Sequence, residues 1–376
     1  MRRVRPYRGL MLAAFALGGC GGSTTSAGAD GGADARAQLD AFYPEAAAEA
    51  APADAALADA GPPDTTPFIP VPADIQFAAV NPVGAGEQLL FNDWAASPNT
   101  VRTMQPDGTG ATTIFEAYRV WSMGASRAGD RLAFSCGDPQ QEAHYGLTIG
   151  DSIQHTWLYD MASQAVELLA YGNINDECHT FAPGDDAIYL CRRYDFQPDG
   201  ANRGWRLGRI DLPAKEFSFL TPDTDLDWAL WPQPSPDGTQ LYYGRIQISG
   251  TTQTRSLMRM PVATLTPVLF QASASSLTLA PDGQHVVFQN WADGFRLYVM
   301  AVDGSGLTKV AARQSATTAR WSPDGTQIAF LWQDQAVNCS HIEVVKADGT
   351  EAAAPRRLRD CSTTTEMVTE LEWITR

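Results

Sequence analysis

Three stretches in the second half of the chain repeat one pattern: SPDGTQLYY (235–243), APDGQHVVF (280–288) and SPDGTQIAF (322–330). Each begins with a turn, because proline presets the backbone, aspartate accepts nearby backbone N–H groups, and glycine adopts the left-handed conformation that closes a hairpin. The turn residues are Pro236, Asp237, Gly238, Pro281, Asp282, Gly283, Pro323, Asp324 and Gly325. Each turn leads into a nearly continuous apolar run, which predicts a strand that is buried on both faces.

The same unit recurs in weaker form closer to the N-terminus, as SRAGDRLAF (126–134) and APGDDAIYL (182–190). The residues that end the apolar strands, counting one more unit at the start, are Phe91, Phe134, Leu190, Tyr243, Phe288 and Phe330. They are separated by 43, 56, 53, 45 and 42 residues, and a period of this length built from short strands is typical of propeller blades. Further strands follow in each unit. The sequence therefore predicts an all-β, six-bladed β-propeller of four-stranded antiparallel blades, with seven blades as the alternative.

The end of the chain predicts how the ring closes. Residues 369–373 match the first strand of the sixth unit, 317–321, but no turn and no further strand follow them. A lone terminal strand can pair with the first blade and so remove the open edges of the ring. A short strand at 75–80 could do the same, and the sequence leaves open which of the two is innermost.

The repeat resembles that of a known family. S/A-P-D-G-x-x-[IVL]-x-F followed by an aliphatic strand that ends in Asp-Gly, as in LYVMAVDGSG (297–306), is similar to the TolB-type propeller repeat. The resemblance covers residues 71–376, about four fifths of the chain. It implies a propeller fold and a location in the cell envelope. TolB proteins carry a folded α/β domain ahead of the propeller, so their partnership with the peptidoglycan-associated lipoprotein is not implied here.

The first nineteen residues indicate a signal peptide. Four arginines lie within residues 1–8, and eleven uncharged residues follow at 9–19. Eleven residues are too few to span a bilayer as a helix, but a charged segment followed by a short apolar one is the pattern of a signal peptide. LGGC (17–20) resembles the lipobox of bacterial lipoproteins, which implies cleavage before Cys20 and lipidation of its thiol. The alternative is a cysteine that merely follows a secretory signal.

Residues 20–70 are expected to be a disordered tether behind the lipidated cysteine. Sixteen of the fifty residues in 21–70 are alanine, and most others are Gly, Asp, Pro, Ser or Thr. Such a composition buries too little apolar surface to offset the entropy of ordering. The whole chain has 43 acidic and 27 basic residues, a formal charge of −16, so phosphate would repel it and nucleic acid is not an expected partner.

The cysteines indicate an oxidising compartment. Cys178 and Cys191 are placed symmetrically about the turn of the third unit, and Cys339 and Cys361 bracket two strands of the sixth. We therefore predict the bridges Cys178–Cys191 and Cys339–Cys361 and a free Cys136. The alternative is that all of these thiols are reduced and buried.

Two motifs are candidates for a catalytic site and for a metal site. LTIGDS (147–152) resembles the first block of GDS-type esterases, and Asp176 and His179 have the spacing of their D-x-x-H block; the alternative is a loop serine and a strand histidine. Asp223, Asp225 and Asp227 form a D-x-D-x-D run that could bind Ca²⁺, although it lacks the glycine of an EF-type loop and would otherwise be a solvated acidic rim. No G-x-S-x-G or H-E-x-x-H motif occurs. We expect no cofactor.

Two function classes remain. The first is a non-catalytic binding platform, a lipid-anchored ring whose loops and central funnel bind an envelope protein, peptide or glycan, with the insertions 138–155 and 195–203 as contacts. The second is a propeller-type lyase or hydrolase with its active site in the funnel. The sequence favours the platform, because no nucleophile-and-base or metal-ligand set is evident. Gly21, rather than an aspartate after Cys20, favours the outer over the inner membrane.

Overall fold

The computed structural model describes most of the chain from residue 77 onward. The described ranges are 77–94, 99–138, 153–172, 174–193, 204–222, 227–250, 252–361 and 367–376. Across these ranges the regular structure is 25 β-strands and one 3₁₀ turn, Trp291–Asp293. Within them, no helix is long and apolar enough to cross a membrane. The signal peptide, Cys20 and the tether predicted for 20–70 lie outside the described residues.

The strands form five sheets, and one of these, with eight strands, divides into two antiparallel units of four strands, which gives six units that we call blades 1 to 6 in chain order. Blade 1 contains β1 (Phe77–Ala79), β2 (Glu87–Asp93), β3 (Asn99–Met104) and β4 (Thr112–Ala117). Blade 2 contains β5 (Val120–Ala125), β6 (Arg131–Gly137), β7 (Gln154–Asp160) and β8 (Val166–Ala170). Blade 3 contains β9 (Asn175–Phe181), β10 (Ala187–Arg193), β11 (Arg206–Asp211) and β12 (Glu216–Phe219).

The second half of the chain follows the same plan. Blade 4 contains β13 (Asp227–Pro234), β14 (Gln240–Ser249), β15 (Thr252–Pro261) and β16 (Val268–Ala272). Blade 5 contains β17 (Ala274–Leu279), β18 (His285–Asn290), β19 (Arg296–Ala301) and β20 (Thr308–Ala311). Blade 6 contains β21 (Ala316–Trp321), β22 (Gln327–Asp334), β23 (Cys339–Lys346) and β24 (Arg356–Arg359). The last strand of the chain is β25 (Leu371–Thr375).

The ring closes through β25. This strand pairs antiparallel with β2, with Leu371 opposite Phe91 and Trp373 opposite Leu89, so it is the innermost strand of blade 1. The N-terminal β1 pairs instead with β4 at the outer edge of the same sheet. The inner strands of successive blades are in contact all the way round, from β5 through β9, β13, β17 and β21 to β25 and back to β5. The sequence left open which terminal strand is innermost in blade 1, and the structure shows that it is the C-terminal strand β25.

The second strand of each blade is apolar throughout because its two faces meet different neighbours. In β22, Phe330 packs into a cluster with blade 5 residues such as Val287, whereas Leu331 packs against blade 1 through Phe91. Both side chains are almost completely buried. Burying a side chain of this size contributes roughly 2 to 3 kcal/mol, so the alternation of faces ties each blade to both of its neighbours.

The Pro-Asp-Gly turns also join neighbouring blades. In blade 6, Asp324 accepts hydrogen bonds from Ser322 Oγ (2.6 Å) and the Thr326 backbone N–H (3.0 Å), and these bonds lower the pKa of the aspartate. The glycine of each turn packs against a proline of the preceding blade. From the position that a Cβ would take on the glycine, the nearest proline carbon is 2.8 Å away for Gly283 and Pro236, 3.8 Å for Gly238 and Pro183, and 3.9 Å for Gly325 and Pro281.

Blades 2 and 3 are more closely joined than the others. Their strands form one eight-stranded sheet, because Gln154 at the start of β7 pairs parallel with Asn175 at the start of β9. At the other end of these blades, Asp185 accepts hydrogen bonds from the backbone N–H groups of Arg127 (2.9 Å) and Ala128 (3.0 Å). The turn of blade 2 lacks a Pro-Asp pair, and Asp185 of blade 3 accepts hydrogen bonds from the backbone of that turn instead.

Candidate functional site

The six inner strands surround an axial cavity, which we call the funnel. It has a volume of about 370 Å³ and lies at the end of the ring that carries the Pro-Asp-Gly turns. Pro183, Pro236, Pro281 and Pro323 form its rim together with Arg127. An opening bounded by four proline rings is apolar and stiff, since proline has little conformational freedom to lose when a ligand binds.

The inner strands of blades 2 to 6 are all irregular where they approach the axis. Each shows a register shift against its second strand, whereas β25 pairs with β2 without one. In four of these strands a non-glycine residue has a positive φ, and the residues are Cys178, Trp231, Ser276 and Thr318. A bulge turns a side chain away from the regular alternation, and bulges are over-represented next to functional sites. Here they determine which side chains face the axis.

The floor of the funnel is formed by Arg320 and Glu372, which together with Glu370 make a partly buried group of charges. Arg320, on β21, donates to the carboxylate of Glu372 on β25 at 2.9 Å, and its guanidinium lies 3.7 Å from Glu370. The exposed fraction of these side chains is 16% for Arg320, 13% for Glu372 and 21% for Glu370. Arg320 also donates to the Ala319 carbonyl oxygen at 3.1 Å. The guanidinium is therefore held from several sides and faces the axis in one orientation.

Burial changes the ionisation of the two carboxyl groups. It raises the pKa of Glu370 to about 8, and the negative charges of Glu372 and Glu177 act in the same direction, while Arg320 opposes them. Burial also raises the pKa of Glu372, against the effect of Arg320. Since Glu372 has the closer guanidinium, the neutral form of Glu370 is favoured near pH 7 and Arg320 pairs with Glu372.

A second polar network lies between blades 2 and 3, further from the funnel mouth. Arg192 donates two hydrogen bonds to Asp176, at 2.6 and 2.7 Å, and Thr156 Oγ1 donates to the same carboxylate at 2.6 Å. His179 Nε2 lies 3.0 Å from Thr156 Oγ1, and His179 Nδ1 lies 3.1 Å from Ser122 Oγ. Because the Thr156 hydroxyl proton goes to Asp176, His179 must donate from Nε2 and accept from Ser122 at Nδ1.

This network contains a serine, a histidine and an aspartate, but Thr156 stands between His179 and Asp176, and the network is closed. Ser122 and His179 are each 2% exposed, and Ser122 Oγ also accepts the backbone N–H of His179 at 3.2 Å. Burial lowers the pKa of His179 to about 4, so the imidazole is neutral. A substrate carbonyl has no path to Ser122 Oγ, and the network holds blade 2 against blade 3.

The candidate esterase residues are only partly brought together. Ser152 lies outside the described residues. Asp176 and His179 both lie on β9, where Asp176 binds Arg192 and His179 bonds Thr156 and Ser122. The D-x-x-H spacing thus belongs to the buried network.

The acidic run and the two insertions fall largely outside the described residues as well. Asp223 and Asp225 lie outside the described residues. The same holds for most of the first insertion, 139–152, and for the second insertion, 195–203. Asp227 opens β13, where Arg245 donates to both of its carboxylate oxygens, one at 2.6 Å. A carboxylate held by both oxygens in an arginine pair is a poor calcium ligand.

The two predicted cysteine pairs differ in the structure. Cys339 and Cys361 are joined by a disulfide, with their Cα atoms 6.0 Å apart. Cys178 and Cys191 are thiols, as is the buried Cys136. A bulge lies between them: Tyr189 is opposite Thr180, but one register step is lost before Cys191, which is opposite Glu177. Cys178 itself adopts φ +59° within the bulge, and its thiol is in hydrogen-bond contact with that of Cys191.

Sequence reasoning did not single out the residues of the funnel floor. Glu370 and Glu372 stand two apart in the closing strand, and this period-two spacing places both carboxylates on one face. Arg320 directly precedes the Trp-Ser-Pro-Asp-Gly of blade 6. The spacing can be seen in the sequence. Only the closing of the ring, however, places β21, the inner strand of blade 6, beside the closing strand β25.

Comparison with solved structures supplies the fold family. TolB from Acinetobacter baumannii aligns with 77% of this chain and 67% of its own, at 13% identity and a TM-score of 0.57. Putative TolB from Agrobacterium tumefaciens aligns with 74% of this chain and 90% of its own, at 13% identity and a TM-score of 0.52. The fold is a TolB-like β-propeller. The resemblance implied by the repeat is thereby confirmed at the level of fold.

A solved structure of another kind is also similar to this chain in fold. Hydrazine synthase from Kuenenia stuttgartiensis aligns with 78% of this chain and 47% of its own, at 9% identity and a TM-score of 0.56. No protein-family model matches the chain. No curated protein matches it in sequence either. At these identities the likeness extends to the fold alone, and function must be argued from the site.

Proposed function

We propose that this protein is a lipid-anchored lipoprotein of the cell envelope whose TolB-like propeller is a non-catalytic binding platform. The ligand is an extended segment of an envelope protein, a peptide or a glycan, and it enters the funnel. The observation that carries this proposal is the funnel itself, with a proline-lined rim above a floor of mutually paired charges. Apolar walls with a few fixed polar groups are typical of binding sites.

The state of the ionisable groups supports binding rather than turnover. A general acid or base must be free to exchange a proton with substrate. On the floor, Arg320 and Glu372 are bonded to each other, and the Ser122–His179 pair is buried away from the funnel. Funnel-based lyase or hydrolase chemistry, the alternative, would require Glu372 to leave Arg320 before it could act.

The size and charge of the funnel restrict the ligand. A volume of about 370 Å³ accommodates a chain end or a few units of an extended polymer and excludes a folded domain. The rim offers Arg127, which is exposed, while the floor offers the paired Arg320 and Glu372. A ligand with an apolar body and a hydroxyl-bearing end, which can both donate and accept hydrogen bonds, fits this distribution best.

The N-terminal sequence supports the anchor. Lipidation at Cys20 would hold the propeller at a membrane by a tether of about fifty residues, whose mean span as a flexible coil is about 40 Å. The ring would then reach envelope components beyond the headgroups. We assign it to the outer membrane, on its periplasmic face or at the surface. Replacing Cys20 by serine should move the protein from the membrane to the soluble fraction of the envelope.

A plugged funnel tests the site. Thr375 lies at the funnel wall with an exposed side chain, so Thr375→Trp should fill the mouth with little effect on the core. The matched control is Leu269→Trp, at a 63% exposed position on the outer strand β16. Affinity capture from membranes with the full-length chain should recover envelope partners with the wild type and the control and lose them with Thr375→Trp. Equal recovery by all three proteins would contradict the proposed site.

A further inference from the structure

The Cys339–Cys361 disulfide lies beside a histidine. One nitrogen of His341 and the two cysteine sulfurs all lie within 4.8 Å of one another, and all three residues are buried. Cys339 and His341 are on β23, and Cys361 follows β24 in the same blade. Two sulfurs and an imidazole nitrogen from a rigid sheet are a ligand set typical of thiophilic divalent ions.

The hydrogen bond at Nδ1 indicates the tautomer of the neutral His341 ring. The backbone N–H of Cys361 donates to His341 Nδ1 at 3.2 Å, so Nδ1 carries the lone pair and the proton of the neutral ring is on Nε2. Nε2 is buried and has no hydrogen-bond partner within range. It faces Asp334 Oδ2 at 3.6 Å.

The contacts around Nε2 of His341 are similar to those that orient a metal-binding histidine. A ligating imidazole almost always donates its other N–H to a carboxylate, which fixes the tautomer and the ring orientation. Asp334 is positioned to accept from Nε2, and Trp332 stacks on the ring at 4.9 Å between centroids with an interplanar angle of 15°. Nδ1, on the side of Cys361, is the ligand atom, and it exchanges the hydrogen bond from the Cys361 backbone N–H for the bond to the ion.

We propose that Cys339, His341 and Cys361 form a redox-gated site for one thiophilic divalent ion of the Zn²⁺ class. In the oxidised chain the sulfurs are bonded to each other and cannot bind it. A dithiol reductant supplies two electrons and two protons, which cleave the S–S bond and give two thiols, while the reductant becomes a disulfide. Each thiol then releases its proton to solvent as its sulfur binds the ion.

The backbone can accommodate the bound state. Zn–S bonds of about 2.3 Å in a tetrahedral site place the two sulfurs about 3.8 Å apart. The Cα atoms of Cys339 and Cys361 are 6.0 Å apart, so side-chain rotation alone can reach this separation. Asp360 lies 3.4 Å from Nδ1, but it is engaged with Arg357 at 2.7 Å. The fourth position therefore falls to solvent.

Cobalt is the probe, because Co²⁺ replaces Zn²⁺ in such sites and absorbs light when thiolates bind it. The full-length chain in a Cys20→Ser background is reduced with a phosphine, freed of reductant without oxygen, and titrated with Co²⁺. We expect one equivalent to produce a near-ultraviolet thiolate-to-metal band and tetrahedral visible bands that Zn²⁺ removes. The oxidised chain should give neither.

Variants assign the ligands. Cys339→Ser/Cys361→Ser should abolish the bands, and His341→Ala should weaken the affinity at least tenfold. Asp334→Asn, which replaces the carboxylate that faces Nε2 by an uncharged and weaker acceptor, should weaken it about tenfold. The control is Asp282→Asn, which alters the exposed His285–Asp282 pair and should leave the affinity unchanged.

Several results would overturn the proposal. They are the absence of a thiolate band in the reduced chain, and bands that survive in Cys339→Ser/Cys361→Ser. The second result would assign the metal to Cys136, Cys178 or Cys191, the thiols elsewhere in the ring. Circular dichroism compares the reduced chain with the double serine variant, since both lack the bridge. A reduced chain that is unfolded and stays unfolded with Co²⁺ also overturns the proposal.

Discussion

The carbonyl oxygen of Thr375, in the closing strand, lies directly against Gly129 in the first turn of blade 2. A Cβ on Gly129 would be 2.2 Å from that oxygen, and Gly129 also has φ +68°. The last residues of the chain therefore contact blade 2 as well as pairing with blade 1. An atom added at Gly129 would therefore strain the contact between the closing strand and blade 2.

Gly129→Ala should destabilise the propeller by at least about 2 kcal/mol, from a strained left-handed alanine and from the displacement of Thr375. Urea unfolding followed by tryptophan fluorescence measures the loss. Gly304→Ala is the matched control, since Gly304 has φ +88° and nothing within 4 Å of an added Cβ. It should lose only about 1 kcal/mol, the left-handed strain alone. Equal losses would argue against the tight contact between Gly129 and Thr375.

Stability should fall as the solution is acidified through the range set by His179. Its pKa is about 4 in the folded chain, below the 6.5 of the free side chain, so unfolding takes up a proton between these values. The stability is complete above pH 6.5 and declines towards pH 4, by about 3 kcal/mol for this group. Burial lowers the pKa of His155 as well, which acts in the same direction.

Unfolding free energies at pH 7.5 and 4.5 test this prediction in the wild type and in His179→Gln. The variant loses some stability at both pH values because a buried partner of Ser122 has changed. Its difference between the two pH values should be smaller than that of the wild type. An unchanged difference would mean that His179 is not the group that titrates.

Glu370 should give a dependence of the opposite sign. Burial raises its pKa to about 8, so the folded chain holds a proton that the unfolded chain releases above its usual value near 4.5. Its contribution is complete below pH 4.5 and is lost as the pH rises through 8. Glu370→Gln, which keeps the neutral shape, should flatten this decline between pH 5 and 8. A variant whose profile matches the wild type would show that Glu370 is charged in the folded ring.

The thiol count distinguishes the structure from the sequence expectation. Alkylation of the denatured chain without reductant, in a Cys20→Ser background, should label Cys136, Cys178 and Cys191 and leave Cys339 and Cys361 unlabelled. Labelling of Cys136 alone would instead establish the second bridge, Cys178–Cys191. Reduction of Cys339–Cys361, which closes a loop of 22 residues, should lower the stability by about 3 kcal/mol.

Much of the fold could be predicted because its signals are local. A Pro-Asp-Gly turn and the apolar strand after it are specified by adjacent residues. The hairpin at 322–330 can therefore be predicted from one short stretch of sequence. The closing strand can be predicted as well, because residues 369–373 match the sequence of the first strand of blade 6. What remained open, whether β1 or β25 is innermost, depends on pairing across the whole chain.

The site was less predictable because bulges are not a local property. Cys178 and Thr318 adopt positive φ where the inner strands shift register, and no residue type at these positions signals it. One such bulge places Cys191 opposite Glu177, one register step away from the symmetric placement expected with Cys178. Arg320 and Glu372 meet across blades 6 and 1, at positions more than fifty residues apart.

Mass spectrometry of the ligand crosslinked inside the funnel tests the central claim most directly. A photoreactive amino acid replaces Arg127 on the rim, and the same residue at Leu269 on the outer edge is the control. Irradiation of intact cells should give one adduct at position 127, absent at 269, whose ligand has its full, unprocessed mass. A ligand shortened by hydrolysis or elimination, or no adduct at position 127, would contradict a funnel that binds without chemistry.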